Sequence, residues 1–375
     1  MRVIVNGWFM SHKDTGSGQY LHALLHHLPS QSSDLDLHIV VPAASSQSPG
    51  WQLHVRAARN APLDKLRFEQ LEIPRLAGQL HADVVHIPYW APPLRSPTPL
   101  VVTVHDIIPL LLPEYRGSLL ERCYTSLAAA ATRGAAQVIA DSHSSRQDII
   151  TRMQLPTNRV STVHLAAAKK FAPPVGANPA NSLRAKYRLP ESYVLYLGGF
   201  QRRKNVRHLL AAWTWAHSAM PEGYQLVIAG RLPEHPDGRL FHDLPATALR
   251  HGIDESVCFI GAVDEADKPM LYQGASCFVF PSSYEGFGLP PLEAMACGVP
   301  VITTGAASIA EVVGDAAYLV SDPTDARKLG AAIISTIVDT DLANNLRERG
   351  LKRAARFSWA QTARETLQIY QLAAY

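Results

Sequence analysis

The sequence predicts an α/β protein of two doubly wound domains, and three observations lead to this fold class. Short β-branched runs alternate with longer helical patterns along the chain, which is typical of parallel sheets covered by helices on both faces. The length of 375 residues exceeds one ordinary hydrophobic core and suits two domains. Hydrophobic residues make up 47% and charged residues 18%, so a globular chain is expected.

Two series of apolar runs are predicted as strands. The first series comprises Val3–Val5, Leu37–Val41, Val84–Ile87, Leu100–Val104, Val138–Ala140 and Val160–Val163. The second series comprises Val194–Leu197, Leu226–Ala229, Val257–Ile260, Cys277–Phe280 and Val299–Thr303. The Pro- and Gly-containing segment Phe171–Pro179 separates them and reads as a linker. Domains of residues 1–170 and 171–356 follow from this division, with a ligand cleft between them at the carboxyl ends of the strands.

The last segment, residues 357–375, is predicted as a helix that packs back on the first domain. Ser358 and Gln361 form a capping-box pattern after Phe357. Ala363, Leu367 and Tyr370 then repeat at helical spacing, which predicts one buried face.

Composition excludes several classes of protein. The net charge of +3 is too weak to argue for nucleic acid. The first apolar run is too short for a secretion signal, and no apolar stretch approaches the roughly 18 residues that span a bilayer. The cysteines are far apart in sequence, which fits neither a metal motif nor a disulfide framework; they are Cys123, Cys258, Cys277 and Cys297. A cytoplasmic protein with reduced thiols is expected.

The most informative segment runs from Phe280 to Gly298. An apolar strand leads into a glycine-containing loop, after which Pro290 or Pro291 begins a helix that Gly298 ends. Glycines let backbone N–H groups approach a ligand, and a helix N-terminus favours an anion. Glu285 at the strand exit and Glu293, expected in the first turn of the helix, can accept hydrogen bonds from hydroxyl groups. This pattern favours a sugar-nucleotide site.

Three further segments offer polar groups at the ends of predicted strands or the starts of helices. Arg203 and Lys204 precede a helix that Asn205 can cap, and two adjacent cations there favour a bound diphosphate. Gly16 and Gly18 precede another helix and offer N–H groups to an anion. His105 follows a strand directly and is expected to line the crevice, while Asp106 shapes its loop. The cluster Asp141–Arg146 reads as a helix cap.

The string EGFGLPPLEAMACGVPVI resembles the E-x7-E signature of the retaining GT-B glycosyltransferases, specifically glycosyltransferase family 4. The likeness covers nearly the whole chain and is strongest from about residue 190 onward. It implies two Rossmann-like domains facing each other across a cleft, the first binding the acceptor and the second the donor. It also implies that Glu293 binds the ribose and that Glu285 binds the transferred sugar. Residues that touch the sugar and diphosphate are then Gly286, Phe287, Gly288 and Leu289.

Other motifs extend the resemblance. The R-K-N element resembles the family's phosphate-binding element, which implies donor-phosphate binding by Lys204 and Arg203. The T-G-S-G-Q-Y string resembles the family's T-G-I-G-R-Y element, which implies that Gly16 and Gly18 meet the diphosphate. The family has a cleft histidine where this chain has His105, so His105, Glu285 and Lys204 are the expected catalytic residues. The chain departs from many members at Gly198-Gly199, where they carry an arginine after the strand's glycine.

The resulting expectation is a metal-independent, retaining hexosyltransferase without a cofactor. The R-K-N form and the HDIIP string resemble bacterial mannosyltransferases, so GDP-mannose is the expected donor, with UDP-sugars second. The acceptor is expected to be a hydroxyl of a glycan or a lipid-linked glycan. Residues 55–75 mix basic and apolar side chains and could touch the inner face of a membrane, although a solvated helical face is favoured.

Three alternatives remain open on the sequence alone. A sugar-nucleotide epimerase shares the two-domain architecture. A dinucleotide-dependent oxidoreductase is disfavoured because Leu21 occupies the last glycine position of G-x-G-x-x-G. A non-catalytic sugar-binding protein would have no need of a diphosphate site.

Overall fold

The computed structural model describes residues 1–12, 15–42, 51–56, 62–174 and 180–375. The chain divides into two compact units. Unit 1 comprises Met1–Leu165 with Ser358–Tyr375, and unit 2 comprises Ala166–Phe357. Residues 175–179 of the predicted linker lie outside the described residues.

Unit 1 is built on a parallel sheet of seven strands in the order β3-β2-β1-β4-β5-β6-β7. The strands are β1 (Arg2–Asn6), β2 (Asp36–Val41), β3 (Gln52–Val55), β4 (Val84–Ile87), β5 (Leu100–Val104), β6 (Gln137–Ala140) and β7 (Val160–Thr162). The helices are α1 (Gly16–His27), α2 (Pro62–Arg67), α3 (Ile73–Gln79), α4 (Ile108–Leu111), α5 (Leu119–Arg133) and α6 (His143–Met153). A π-helical turn, Phe68–Glu72, joins α2 to α3.

Unit 2 is built on a parallel sheet of six strands in the order β10-β9-β8-β11-β12-β13. The strands are β8 (Ser192–Leu197), β9 (Tyr224–Ala229), β10 (Val257–Gly261), β11 (Cys277–Phe280), β12 (Val301–Thr304) and β13 (Tyr318–Val320). The helices are α7 (Ala180–Tyr187), α8 (Val206–Ala216), α9 (Leu244–Arg250), α10 (Lys268–Gln273), α11 (Leu289–Ala296), α12 (Ser308–Val313), α13 (Ala326–Val338) and α14 (Thr340–Ala354). The last helix of the chain, α15 (Trp359–Ala374), belongs to unit 1.

Every run that the sequence predicted as a strand forms one, with ends that agree to within two residues. The sequence did not predict β3 and β13, which are the outer strands at one edge of each sheet. Both are short and only partly buried, so neither carries the continuous apolar run that marks a central parallel strand.

Helix α15 packs on unit 1 against α1 and the strands β4, β5 and β6. Ala363, Leu367 and Tyr370 lie on its buried face, as their spacing predicted. Half of the predicted capping box forms, because the Gln361 backbone N–H donates to Ser358 Oγ over 3.2 Å. The Gln361 side chain instead donates to Glu365 Oε1 over 2.6 Å, one turn further along the helix.

Candidate functional site

The loop between β11 and α11, residues 281–288, is held in place by its neighbours in unit 2. On the side of β12, Thr303 Oγ1 donates to the Phe280 carbonyl over 2.6 Å and Thr304 Oγ1 donates to the Ser282 carbonyl over 2.5 Å. Ser308 Oγ, at the start of α12, donates to the Glu285 carbonyl over 2.8 Å. Fixed backbone groups can bind a ligand without first paying for loop ordering, so this loop suits a binding site.

Helix α11 begins directly after Gly288, whose φ of +114° lies in the region that only glycine adopts readily. Leu289 is the first helical residue, and Phe287 packs its ring 5.9 Å from the ring of Phe357. Glu293 therefore lies in the second turn. The expectation that it lies in the first turn is wrong, because the helix begins at Leu289 and not at a proline.

The carboxyl group of Glu293 lies inside unit 2, where only 7% of the residue is exposed. The Tyr272 hydroxyl donates to Glu293 Oε2 over 3.0 Å. Burial raises the pKa of Glu293 to about 7, and the nearby Lys268 and the tyrosine hydrogen bond only partly oppose that effect. Near neutral pH this carboxyl group is divided between its acid and its carboxylate, so a ligand that needs the carboxylate must compete with a proton.

Glu285 lies between two cations. Its Oε1 is 2.5 Å from Lys204 Nζ, and its Oε2 is 3.0 Å from an Arg203 guanidinium nitrogen. The three side chains are only 11–12% exposed, and Ser282 Oγ also donates to Glu285 Oε1. Burial alone raises the pKa of Glu285, but Lys204, Arg203 and the hydrogen bonds together lower it. The cluster therefore carries two positive charges against one negative charge.

Glu285 neutralises part of the charge of Arg203 and Lys204, and the diphosphate expected beside these cations stays a prediction. The structure corrects one detail of the turn that supplies them. Asn205 occupies the N-cap position of α8 but does not cap it with its side chain. Its Nδ2 instead donates to the Pro281 carbonyl over 2.9 Å, which fastens the turn to the 281–288 loop.

In unit 1, Gly16 and Gly18 at the start of α1 differ in their hydrogen bonding and in the space around them. Thr15 Oγ1 accepts the Gly18 N–H over 3.1 Å, so that N–H already has a partner. A Cβ atom on Gly18 would lie 2.0 Å from the His12 carbonyl oxygen, whereas one on Gly16 would meet nothing within 4 Å. Gly18 is therefore needed for packing, while Gly16 is exposed at the first position of the helix. Their part in donor binding stays a prediction.

His105 lies just beyond β5, with its side chain 23% exposed. Its Nδ1 is 2.8 Å from Asp141 Oδ2 and its Nε2 is 3.2 Å from the Pro88 carbonyl. Both partners only accept hydrogen bonds, so together they favour the doubly protonated ring. Burial alone lowers the pKa of His105, but the charge and hydrogen bond of Asp141, with smaller contributions from Asp106 and Pro88, raise it above its ordinary value.

The neighbouring loop residues act as the sequence predicted. Asp106 Oδ1 accepts the Ile108 N–H over 3.1 Å and so shapes the loop after His105. Ser142 caps α6 by accepting the Ser145 N–H over 3.0 Å.

Comparison with known proteins identifies the family of this chain. Residues 181–353 match the model of the glycosyl transferases group 1, and residues 15–166 match that of glycosyltransferase family 4. The O-antigen chain mannosyltransferase B of Escherichia coli is 35% identical over 275 residues, which cover 72% of this chain and 70% of that protein. The chain belongs to glycosyltransferase family 4, group 1.

A second relative of this glycosyltransferase is considerably longer. The serotype-specific mannosyltransferase WbdA of Escherichia coli is 33% identical over 272 residues, which cover 71% of this chain but only 32% of WbdA. The chain thus matches about a third of that protein's length.

Solved structures of low sequence identity show the fold as GT-B. Sucrose-phosphate synthase from Thermosynechococcus elongatus superimposes with a TM-score of 0.74 at 21% identity, covering 99% of this chain and 98% of that one. Anabaena HepE in complex with UDP and glucose has a TM-score of 0.75 at 19% identity, covering 98% of each chain. Among the described residues of the glycosyltransferase, no helix has both the length and the apolar content needed to cross a membrane.

Sequence reasoning missed the partners of the predicted site residues. Tyr272 contacts Glu293, Ser282 contacts Glu285, and Asp141 contacts His105. Tyr272 and Ser282 carried no prediction, and Asp141 was predicted only as part of a helix cap. The one available signal for Asp141 was its position directly after a predicted strand, which is also the position of His105.

Proposed function

We propose that this glycosyltransferase transfers mannose from GDP-mannose to a hydroxyl of a glycan or lipid-linked glycan, with retention at the anomeric carbon. Both Escherichia coli relatives named above are mannosyltransferases, which supports mannose as the transferred sugar. The name of the first relative also supports a polysaccharide acceptor.

One observation supports the donor site best: a buried carboxyl group and a buried cation cluster flank a single glycine-containing loop. Glu293 lies beyond one end of the 281–288 loop, and Glu285 lies within it, where Arg203 and Lys204 contact it from the turn before α8. We assign Glu293 to the ribose diol and Glu285 to the mannose hydroxyls. Backbone groups of Gly286, Phe287, Gly288 and Leu289 lie in the same loop or at the first residue of α11, where they can contact the sugar and diphosphate.

The cation cluster suits the departing diphosphate. Lys204 and Arg203 carry one more positive charge than Glu285 neutralises, so the cluster retains net attraction for phosphate. Positive groups placed where negative charge develops stabilise the leaving group, and here they would do so without a metal ion or cofactor.

The reaction breaks the bond between the anomeric carbon and the β-phosphate oxygen and forms a bond from that carbon to the acceptor oxygen. In the front-face route we propose, a donor phosphate oxygen takes the proton of the acceptor hydroxyl, which requires no protein nucleophile. We assign His105, Gly16 and Gly18 to the same reaction. A positively charged His105 would stabilise the negative charge that develops on the departing diphosphate.

Donor identity is tested by thermal shift with GDP, UDP and ADP, because a ligand that binds only the folded state raises the melting temperature. We expect GDP to give the largest rise and Glu293→Gln to reduce that rise strongly. That substitution keeps the shape of the side chain and its ability to accept the Tyr272 hydrogen bond. A larger rise in melting temperature with UDP than with GDP would indicate a UDP-sugar donor and not GDP-mannose. HepE, a structural neighbour, was solved with UDP.

Chemistry is tested by incubating the protein with GDP-mannose and a panel of mannose-containing glycans in the presence of EDTA. We expect GDP release that depends on the acceptor and an α-linked product from the α-linked donor, as judged by NMR of the anomeric carbon. A β-linked product would exclude retention, and loss of activity in EDTA would exclude metal independence. Epimerised donor without acceptor would point to the epimerase alternative.

Location is also part of the proposal. We infer a cytoplasmic enzyme that contacts the inner membrane face peripherally when its acceptor is lipid-linked. Sedimentation with anionic vesicles, compared with neutral ones, tests the membrane contact.

A further inference from the structure

A chain of hydrogen bonds, the buried network, runs inside unit 1 from α15 through β4 and β5 to α1. The Tyr370 hydroxyl lies 2.8 Å from His86 Nδ1, and His86 Nε2 lies 2.9 Å from Thr103 Oγ1. Thr103 Oγ1 in turn lies 3.1 Å from the Tyr20 hydroxyl. None of the four residues is more than 2% exposed. The buried network therefore connects α15, the helix that follows unit 2 in the chain, to α1.

The charge state of His86 suits its place in the buried network. Burial, with a smaller contribution from the charge of His105, lowers the pKa of His86 to about 3, so its imidazole is neutral. A neutral imidazole has one donor and one acceptor, so His86 can donate to one of its two hydroxyl neighbours and accept from the other. Complete pairing of buried polar groups holds them in a single arrangement.

Tyr20 connects the buried network to His105. The Tyr20 and His105 rings meet edge to face, with centroids 4.8 Å apart and planes at 79°. Both nitrogens of His105 are held, Nδ1 by Asp141 and Nε2 by the Pro88 carbonyl. The imidazole plane can still tilt about the line between the two nitrogens, and contact with a fixed aromatic neighbour restricts that tilt.

We propose that the buried network of Tyr370, His86, Thr103 and Tyr20 is a positioning device that fixes His105 for sugar transfer. These residues touch no reacting atom; they act through the aromatic contact of Tyr20. The proposal rests on the proposed function of His105, and it makes α15 part of the support of the site. It explains why polar side chains occupy these buried positions, although apolar side chains would pack there with a smaller desolvation cost.

The test compares Tyr370→Phe with Tyr193→Phe. Tyr370→Phe removes the hydroxyl and leaves His86 Nδ1 unpaired, whereas Tyr193→Phe removes a buried hydroxyl in unit 2 that donates to the Leu271 carbonyl over 2.7 Å. We expect Tyr370→Phe to lower kcat by about tenfold with little change in KM for GDP-mannose, since a small misplacement lowers the rate of transfer more than donor binding. Tyr193→Phe should leave both constants unchanged.

A second readout does not depend on activity. NMR of histidine labelled with ¹⁵N, with the His105 signal assigned from His105→Gln, reports the environment of that ring directly. We expect Tyr370→Phe to shift or broaden the His105 signal and Tyr193→Phe to leave it in place. Thr103→Val preserves the side-chain shape and breaks the buried network at another point. It replaces Tyr370→Phe as the test variant if Tyr370→Phe does not fold.

An unmoved His105 signal in Tyr370→Phe and Thr103→Val, with kcat no lower than in Tyr193→Phe, would overturn the positioning role. Failure of the proposed function gives a different result, because the unaltered enzyme would then not turn over GDP-mannose. The NMR comparison still tests positioning in that case. A shift of the His105 signal would show that the buried network orients His105 for some other reaction.

Discussion

The Tyr272 hydroxyl donates a hydrogen bond to Glu293 Oε2 over 3.0 Å, and both side chains are buried in unit 2. This contact supplies Glu293 with only one neutral donor, which compensates little of the loss of water around a carboxylate. The pKa of Glu293 therefore rises to about 7, mainly through burial. A residue assigned to the donor ribose is thus half protonated in the free enzyme at neutral pH.

Donor binding should weaken as the pH falls through about 7. A protonated carboxyl group loses one of its acceptor sites and its charge, so the ribose diol binds the carboxylate better. Between pH 8 and pH 6 the ionised fraction falls about tenfold, and affinity for GDP-mannose should follow it. Isothermal titration calorimetry measures this directly, since the donor phosphates do not titrate in this range. Glu293→Gln is the control and should bind weakly with no such pH dependence.

The same pKa predicts the stability of Glu293→Gln. The folded pKa, about 7, lies above the ordinary value of 4.5, so the contribution of this group is full below pH 4.5 and lost as the pH rises through 7. The variant should be similar to the unaltered protein in acid and more stable above neutrality, by up to about 3 kcal/mol. Urea unfolding from pH 4.5 to pH 8 measures the difference. A gap that does not grow with pH would contradict the raised pKa.

Glu285→Gln should destabilise unit 2 by about 3–5 kcal/mol, because it leaves the buried cations of Arg203 and Lys204 without their counter-charge. Adding Lys204→Met should recover part of that loss, since one uncompensated charge is then removed. Urea unfolding of the single and double variants checks this. Pyrophosphate should raise the melting temperature of Glu285→Gln more than that of the unaltered protein if the cluster binds phosphate. An equal rise would argue against that binding.

Gly16→Ala and Gly18→Ala form a matched pair in the loop into α1. Gly18→Ala should cost several kcal/mol, because its Cβ would lie 2.0 Å from a backbone oxygen that cannot move freely. Gly16→Ala should leave the melting temperature unchanged or slightly higher, since a Cβ there meets no atom within 4 Å. A loss of transfer activity in the stable Gly16→Ala variant would then report contact with the substrate. Full activity would remove Gly16 from the site.

Asp141→Asn should lower the pKa of His105, because Asp141 supplies the main charge and hydrogen bond that raise it. Asp106→Asn should lower it less, since the charge of Asp106 contributes less. Titration of the His105 NMR signal measures both. We expect transfer activity in Asp141→Asn to decline at a lower pH than in the unaltered enzyme. Equal shifts of the His105 pKa in the two variants would contradict the larger contribution of Asp141 to that pKa.

The sequence alone determined the strands, the two-unit organisation and the loop from Glu285 to Glu293. A central parallel strand such as β11 is a continuous apolar run, and Gly288 marks the start of α11 because its φ of +114° is one that glycine adopts readily. These signals are local, because an apolar run or a glycine before a helix can be recognised within a short stretch of the sequence. The edge strands β3 and β13 lack such a signal and were missed.

Only the tertiary structure decided which side chains pair. Glu285 meets Arg203 and Lys204 from about 80 positions earlier because β8 and β11 are neighbours in the sheet, and their carboxyl ends lie side by side. His105 meets Asp141 because β5 and β6 are neighbours in the same way. Strand order depends on how the whole unit packs, which no local pattern records. For the same reason, the place of Tyr370 beside His86, 284 positions away, could be found only in the folded chain.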